Sequence, residues 1–259
     1  MVVNVITRHA PTNYGSLLQA IATQRVIMNL GHECRIINYI PKCETGVRMA
    51  ITQLEQKTKW KRNPIKKAIY LMVAEPETLL MDRKFLAMRK KYLLMGPCCA
   101  TTGELKKLYA EKKDEVFLTG SDQVWGPIST GHYDPTYFLD FVPKSSRKLA
   151  FAASFGKAIF DEQTLKEYGV LLKKYDSLAV RENVAVELLK KMDISAKQVL
   201  DPTLLMDADA WSEYVKPMKK PEKYVLVYQI HANSDLDHYA VKFAEKAELP
   251  LLRVSPLLH

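Results

Sequence analysis

The first forty residues constrain the fold of this chain more than any other stretch. Val2 to Thr7 is a short run rich in β-branched residues, and Arg8 to Tyr14, which holds Pro11 and Asn13, reads as a loop. From Gly15 to Leu30 the apolar residues Leu17, Leu18, Ile21, Ala22, Val26 and Leu30 recur at helical spacing, and Gly31 supplies a stop. Arg35 to Tyr39 reads as a second strand. Strand, loop, helix, strand is a βαβ unit, and such a unit commits the chain to a parallel sheet. Its loop lies at a helix N-terminus, where backbone N–H groups and the helix dipole favour an anion. Asn13 and Ser16 serve there either as caps or as ligands. His9, just after the first strand, can take a proton near neutral pH, though a lone loop histidine is more often solvated. Neither a G-x-G-x-x-G run nor a P-loop follows the strand, which disfavours a dinucleotide or Walker-type site.

The alternation then breaks and returns. Cys43 to Ala110 reads as a basic helical insertion: Trp60, Ile65, Ile69, Tyr70, Met72 and Val73 lie among lysines, Pro76 interrupts, and Leu79 to Leu94 resumes the pattern. Residues 56–91 carry eleven Lys and Arg against three acids, and the whole chain has a net charge of +9. A face this basic suits phosphate, an anionic lipid surface or nucleic acid, and peripheral membrane contact through 56–91 is one expectation; a solvated helical face without a partner is the commoner case. Strands are expected at Val116–Thr119, Lys148–Ser154, Ser177–Val180 and Gln198–Leu200. Helices are expected at Asp161–Lys174 and from Asn183 to about Met192. Lys216 to Lys223 is a polar, proline-bearing linker, followed by a strand from Tyr224, a helix from Asp235 to Ala247 and a strand at Leu251–Val254. We expect a Rossmann-like first domain over 1–215 and the start of a second over 222–259. So short a second piece either docks onto the first sheet or belongs to a truncated domain.

Composition narrows the class. No run approaches eighteen apolar residues, and the N-terminal segment reads as a strand rather than a signal peptide. Cys34, Cys43, Cys98 and Cys99 form no C-x-x-C pair, which argues against a disulfide framework or a metal site and for reduced thiols in the cytosol. The expected location is cytoplasmic, at or near the inner membrane surface, with no nucleic-acid partner.

Chemistry concentrates after the strand Val116–Thr119. Gly120-Ser121-Asp122-Gln123-Val124-Trp125 sets hydroxyl, carboxylate, amide and indole groups at a strand's C-terminal end, where open α/β sheets bind ligands. Ser121 and Asp122 can equally cap the next element and Trp125 pack in the core. Arg181 follows one strand and opens a helix, and its guanidinium suits bidentate binding of phosphate or carboxylate; a surface pair with Glu182 or Glu187 is the alternative. Asp201 has the same edge placement, although Asp-Pro often simply starts a turn.

Asn13-Tyr14-Gly15-Ser16-Leu17-Leu18-Gln19-Ala20, the Gly120–Trp125 hexapeptide, Val180-Arg181-Glu182 and Asp201-Pro202-Thr203-Leu204-Leu205 occur in that order. Together they resemble the polysaccharide pyruvyl transferase family. The resemblance implies an α/β, glycosyltransferase-B-like fold of two Rossmann-like domains. It implies transfer of a pyruvyl group from phosphoenolpyruvate to a saccharide acceptor, which is lipid-linked in one version, with a ketal formed and phosphate released, and no cofactor beyond the donor. On that footing Asp122 and His9 are the candidate catalytic residues. Asn13, Tyr14, Gly15, Ser16, Gly120, Ser121, Gln123, Trp125, Arg181 and Asp201 are the candidate substrate-binding ones, with Gln123 bonding to and Trp125 stacking on the sugar. The chain departs from the family pattern at Ala179 and Gly126 and lacks a Ser-Phe-His-type loop, so the chain ending at His259 is expected to show no turnover by itself. A nucleotide-sugar glycosyltransferase of similar form and a non-catalytic module for anionic polymer or membrane remain the alternatives.

Overall fold

A computed structural model describes residues 1–41, 44, 79–128, 131–157, 159–229 and 232–254. The chain divides into two compact units, Met1–Asp207 and Ala208–His259. The division falls ahead of the Lys216–Lys223 segment that composition marks as the linker.

The first unit is built on a parallel six-stranded sheet. Its strands are β1 (Val2–Ile6), β2 (Glu33–Ile36), β3 (Val116–Thr119), β4 (Arg147–Ala153), β5 (Ser177–Val180) and β6 (Lys197–Gln198), in the order β2-β1-β3-β4-β5-β6. The helices of this unit are α1 (Tyr14–Asn29), α2 (residues 79–92), α3 (Thr102–Tyr109), α4 (Glu162–Leu172) and α5 (Asn183–Lys191). Every residue of β3 is buried, as is all of β1 beyond Val2. Helices on both faces require this, and the apolar runs of β1 and β3 are its sequence counterpart. Outside β2, Met95 and Cys99 bridge in parallel to Ile36 and Tyr39. The stretch 43–110 is therefore not helical throughout: by residue 95 it has rejoined the sheet as an irregular edge strand. Residues 45–78, with Trp60 and much of the basic run, lie outside the described residues.

With that edge strand counted, the chain builds outward from β1 in one direction, then returns to place β3 on the other side of β1. The C-terminal ends of β1 and β3 thus flank a topological switch point, the place where doubly wound sheets bind ligands. Val5 stands opposite Leu118 and Ile6 opposite Thr119, so the two loops leave the sheet side by side.

The core of this unit is aromatic. Trp125 is fully buried, stacked on Phe138 with ring centroids 5.8 Å apart, tilted on Phe155 at 5.2 Å and edge-on to Tyr175 at 6.0 Å. Tyr168 donates its hydroxyl to the Trp125 carbonyl at 2.5 Å. The expected stacking of Trp125 on sugar is thereby corrected: the indole lies inside the protein. It turns inward because Val124 and Trp125 follow a tight turn whose amides bond back, Val124 N to Asp122 O and Trp125 N to Ser154 O.

Strand β4 carries an irregularity that bears on the site. Its register against β5 shifts between Ala150 and Ala153, and Ala152 takes a left-handed φ of 56°. Such a bulge re-aims the residues that follow it. Beyond it, the Ala153 carbonyl accepts the Arg181 amide at 3.1 Å, and the Ser154 amide donates to the Asp122 carbonyl at 3.1 Å. One bulge therefore ties the loops after β3 and β5 together.

The second unit is smaller. It holds α6 (Ala208–Ser212), β7 (Val225–Tyr228), α7 (Ser234–Lys246) and β8 (Leu251–Val254). β7 and β8 pair in parallel as a separate two-stranded sheet, with Val225 opposite Leu251. Asn233 caps α7, its side chain accepting the Leu236 amide, and α7 buries Ala240 and Ala244.

Candidate active site

Helix α1 begins at the switch point because Asn13 caps it. The Asn13 side-chain oxygen accepts the Ser16 amide at 3.2 Å, in the capping geometry that satisfies one orphan N–H of a first turn. The cap fixes the direction in which Ser16 leaves the helix. Its hydroxyl donates to Asp122 Oδ2 at 2.6 Å, a contact across 106 residues of sequence.

Asp122 has a left-handed backbone, φ 81°, a conformation that Asp tolerates better than most residues. Two interactions hold it there. Its Oδ1 accepts the Gln123 amide at 2.8 Å, and its backbone bridges to Ala153. The loop can approach β1 this closely because residue 120 is glycine: a Cβ there would stand 3.2 Å from Val5 Cγ1 and 3.3 Å from Thr7 Cβ. Gly126 has a similar reason. A Cβ would lie 2.6 Å from the Phe155 carbonyl oxygen, so no larger residue fits this turn without moving backbone. Gly120 thus shapes the loop and is not among the residues lining the cavities described below.

Asp201 anchors the other side. Its Oδ2 accepts the Ser121 hydroxyl at 2.7 Å and Arg181 Nη1 at 3.1 Å; its Oδ1 accepts the Thr203 amide at 2.9 Å and the Thr203 hydroxyl at 2.7 Å. Burial works against this ionised carboxylate, but the bonds from Thr203, Ser121 and Arg181 outweigh it and hold its pKa below the usual value. Four donors leave Asp201 little capacity for anything else. Ser121 is likewise buried and committed, its carbonyl accepting the Thr7 hydroxyl at 2.8 Å.

Arg181 is the common element. Burial penalises its charge, but hydrogen bonds to Glu182 and Asp201 more than offset this and raise its pKa. It lines three cavities. The first, about 220 Å³, is bounded by Asn13, Gly15, Ser16, Gln19, Asp122, Arg181, Asp201 and Thr203. The second, about 270 Å³, includes Gln123, Gly156, Lys157, Arg181 and Glu182; the third, about 420 Å³, includes Arg181, Gln198, Leu200, Asp201 and Leu204. The loop after β3, Arg181 after β5, Asp201 after β6 and the start of α1 therefore meet at the first of these cavities, a polar recess, and Arg181 borders all three. The chemistry of the recess is a half-buried carboxylate, a guanidinium and a helix N-terminus within one opening.

Two candidates stand elsewhere. His9 is fully buried and lines none of these three cavities. Its Nδ1 donates to the Thr7 carbonyl at 3.1 Å and its Nε2 lies 3.3 Å from Asn38 Oδ1. Burial, reinforced by the nearby Arg89 charge, lowers its pKa below 6.5 despite those two contacts. A sealed histidine off the recess has no route to a substrate proton, which corrects its candidate catalytic role. Tyr14 is 53 % exposed with its ring 4.8 Å from Phe85, and it also lines none of the three cavities. Gln19 and Thr203, in contrast, belong to the recess although residue type alone did not single them out. Gln19 lies one helical turn after Ser16, so the i, i+3 spacing places both on one face.

The model of a family described as polysaccharide pyruvyl transferase matches residues 13–254. No curated protein matches the chain.

Proposed function

The chain belongs to the polysaccharide pyruvyl transferase family, and from that premise we propose that it moves a pyruvyl group from phosphoenolpyruvate onto saccharide hydroxyls as a ketal, in the synthesis of a cell-surface polysaccharide. The observation that supports this most is the recess itself, in which Asp122 and Arg181 line one cavity beside the capped start of α1. Transfer asks for both groups. The donor carries a phosphate and a carboxylate, and a guanidinium binds either in a planar fork. Nη1 and Nε of Arg181 are bonded to Asp201 and Glu182, which holds the fork in a fixed plane for an incoming anion.

The chemistry balances without a redox partner. A sugar hydroxyl oxygen bonds to C2 of the donor while C3 takes a proton and becomes a methyl group. Asp122 accepts the hydroxyl proton, C3 takes its proton from water, and Asp122 later returns its own to water, so no proton is gained or lost overall. The C2–O bond to phosphate then breaks and its electron pair leaves with phosphate. A second hydroxyl closes the ketal and gives its proton to the released phosphate or to Asp122. Ser16, donating to Asp122, orients the carboxylate, and Asn13 and Gly15 form the adjoining wall.

The deciding assay measures phosphate release from phosphoenolpyruvate, with and without a saccharide acceptor, and looks for the new ketal methyl group by NMR. Acceptor-dependent phosphate supports the proposal. Release of nucleotide from a nucleotide-sugar, with no phosphate from phosphoenolpyruvate, sinks it in favour of a glycosyltransferase.

A further inference from the structure

We propose that Lys157 binds the phosphate of phosphoenolpyruvate in the second of the three cavities that Arg181 borders, leaving the first, with Asp122, to the saccharide acceptor. This rests on the recess being a transfer site, and it deepens that assignment by giving each substrate its own side of Arg181.

Side-chain charge separates the three cavities. The first sets Arg181 against two carboxylates, Asp122 and Asp201. The third sets Arg181 against Asp201. The second has two cations, Lys157 and Arg181, against Glu182. Among the described residues, it alone of the three walls holds more cations than carboxylates. Helix dipoles do not reverse this order, because a helix start stands in both competing walls: Gly15 and Ser16 of α1 in the first, Val184 and Ala185 of α5 in the second. At α1 a carboxylate is already in place, since the Ser16 hydroxyl donates to Asp122.

Arg181 does not suffice for the donor. Its Nε is bonded to Glu182 and its Nη1 to Asp201, so its one positive charge already faces two negative ones. Phosphoenolpyruvate brings a carboxylate and a phosphate that is close to doubly ionised at neutral pH, and drawing it out of water asks for a further cation. Lys157 supplies one. The residue is exposed, and its ammonium rests over the Phe160 ring, 4.7 Å from the centroid. A ring face attracts the charge without using the N–H donors in ordinary hydrogen bonds, and the flexible stem lets them turn to a phosphate. The loop after β3 keeps the two sides apart. Asp122 lines the first cavity and its neighbour Gln123 the second, with Arg181 common to both. The more highly charged end of the donor therefore lies toward Lys157, and its reacting carbon toward Arg181 and the Asp122 side.

The test titrates the full chain with phosphoenolpyruvate, inorganic phosphate and pyruvate, followed by amide NMR. Phosphoenolpyruvate and phosphate should bind saturably, and Lys157→Met should weaken both roughly tenfold while leaving pyruvate unchanged. Lys157→Arg, which keeps the charge, should retain phosphate binding within about threefold. Phosphate should shift the amides of Gly156 and Val184 and not those of Gly15 and Ser16. Undiminished phosphate affinity in Lys157→Met would overturn the proposal, as would shifts confined to Gly15 and Ser16, or no binding of either phosphate compound by the unmodified chain. Should Lys157→Met not fold, the map of shifted amides on the unmodified chain still decides. Phosphate binding that depends on Lys157, without acceptor-dependent phosphate release, would remove the transfer reaction and keep the anion site. Turnover with an unchanged KM for phosphoenolpyruvate in Lys157→Met would do the reverse.

Discussion

Two loops leave neighbouring parallel strands at the same edge of the sheet and meet opposite fates. The loop after β1 carries His9; the loop after β3 carries Asp122. His9 is sealed, its ring held against Thr7 and Asn38, with Arg89 bonded to the His9 and Ala10 carbonyls above it. Asp122 sits on a left-handed turn that swings its carboxylate out to Ser16 and the cavity. Placement at the carboxyl end of a strand is thus shared by a buried group and a presented one. What separates them is whether the surrounding groups use up the side chain or leave part of it unspent.

The largest way to test that contrast is Asp122→Asn. Asn tolerates the same left-handed backbone, so stability should change by no more than about 0.5 kcal/mol in chemical denaturation. Acceptor-dependent phosphate release should fall roughly 10²–10⁴-fold. A variant of full activity would place Asp122 with His9, as scaffold.

Next in size is Trp125→Ala. Removing an indole packed on Phe138, Phe155 and Tyr175 should cost about 3–5 kcal/mol and lower the urea midpoint accordingly. A stability change below about 0.5 kcal/mol would mean that the indole is not core and would reopen its sugar-facing role.

His9 gives a smaller, pH-dependent effect. Its pKa in the fold lies below the 6.5 of the free side chain, so between those two values the unfolded chain binds the proton first. Stability should therefore decline as pH falls from about 6.5 toward the folded pKa, by at most about 1.4 kcal/mol per pH unit for one proton. His9→Gln should flatten that part of the curve of melting temperature against pH. An unchanged slope would assign the proton uptake to another group. The smallest effect is expected from Tyr14→Ala, about 0.5–1 kcal/mol from the lost contact with Phe85 and no change in sugar affinity. A clear loss of sugar binding would bring Tyr14 back into the recess.

How much of this was legible depends on the range of the interactions involved. β5 lies where its apolar run puts it, at Ser177–Val180, and α1 follows its helical spacing, because local pattern and burial agree there; β8 stands at the expected Leu251–Val254 although none of its residues is buried. β6 is shorter than expected, two residues at Lys197–Gln198, since an edge strand needs few ladder bonds. The candidate site was legible as a list of loops and not as a set of contacts. Ser16 with Asp122, and Ser121 with Asp201, meet across 106 and 80 residues, and no local pattern encodes such a meeting. The inward turn of Trp125 depends on Ser154 and Tyr168, and the bulge at Ala152 on the register of β4 against β5; both are tertiary facts. Gln19 was within reach, as the next polar residue on the face that Ser16 occupies.

The extra residue in β4 makes the length of that strand, and not only its composition, a determinant of the site. Ala152 makes no polar side-chain contact, and substitution there would register only the small size that full burial and a left-handed φ demand. Excising it is another matter. A strand one residue shorter would carry Ala153 to the opposite face, and the carbonyl that receives Arg181 and the amide that reaches Asp122 would turn away together. Insertions and deletions in this stretch are therefore filtered by parity: natural variants should keep a small residue at position 152, which is fully buried with a left-handed φ, and keep the residue count between Ala150 and Ser154 constant.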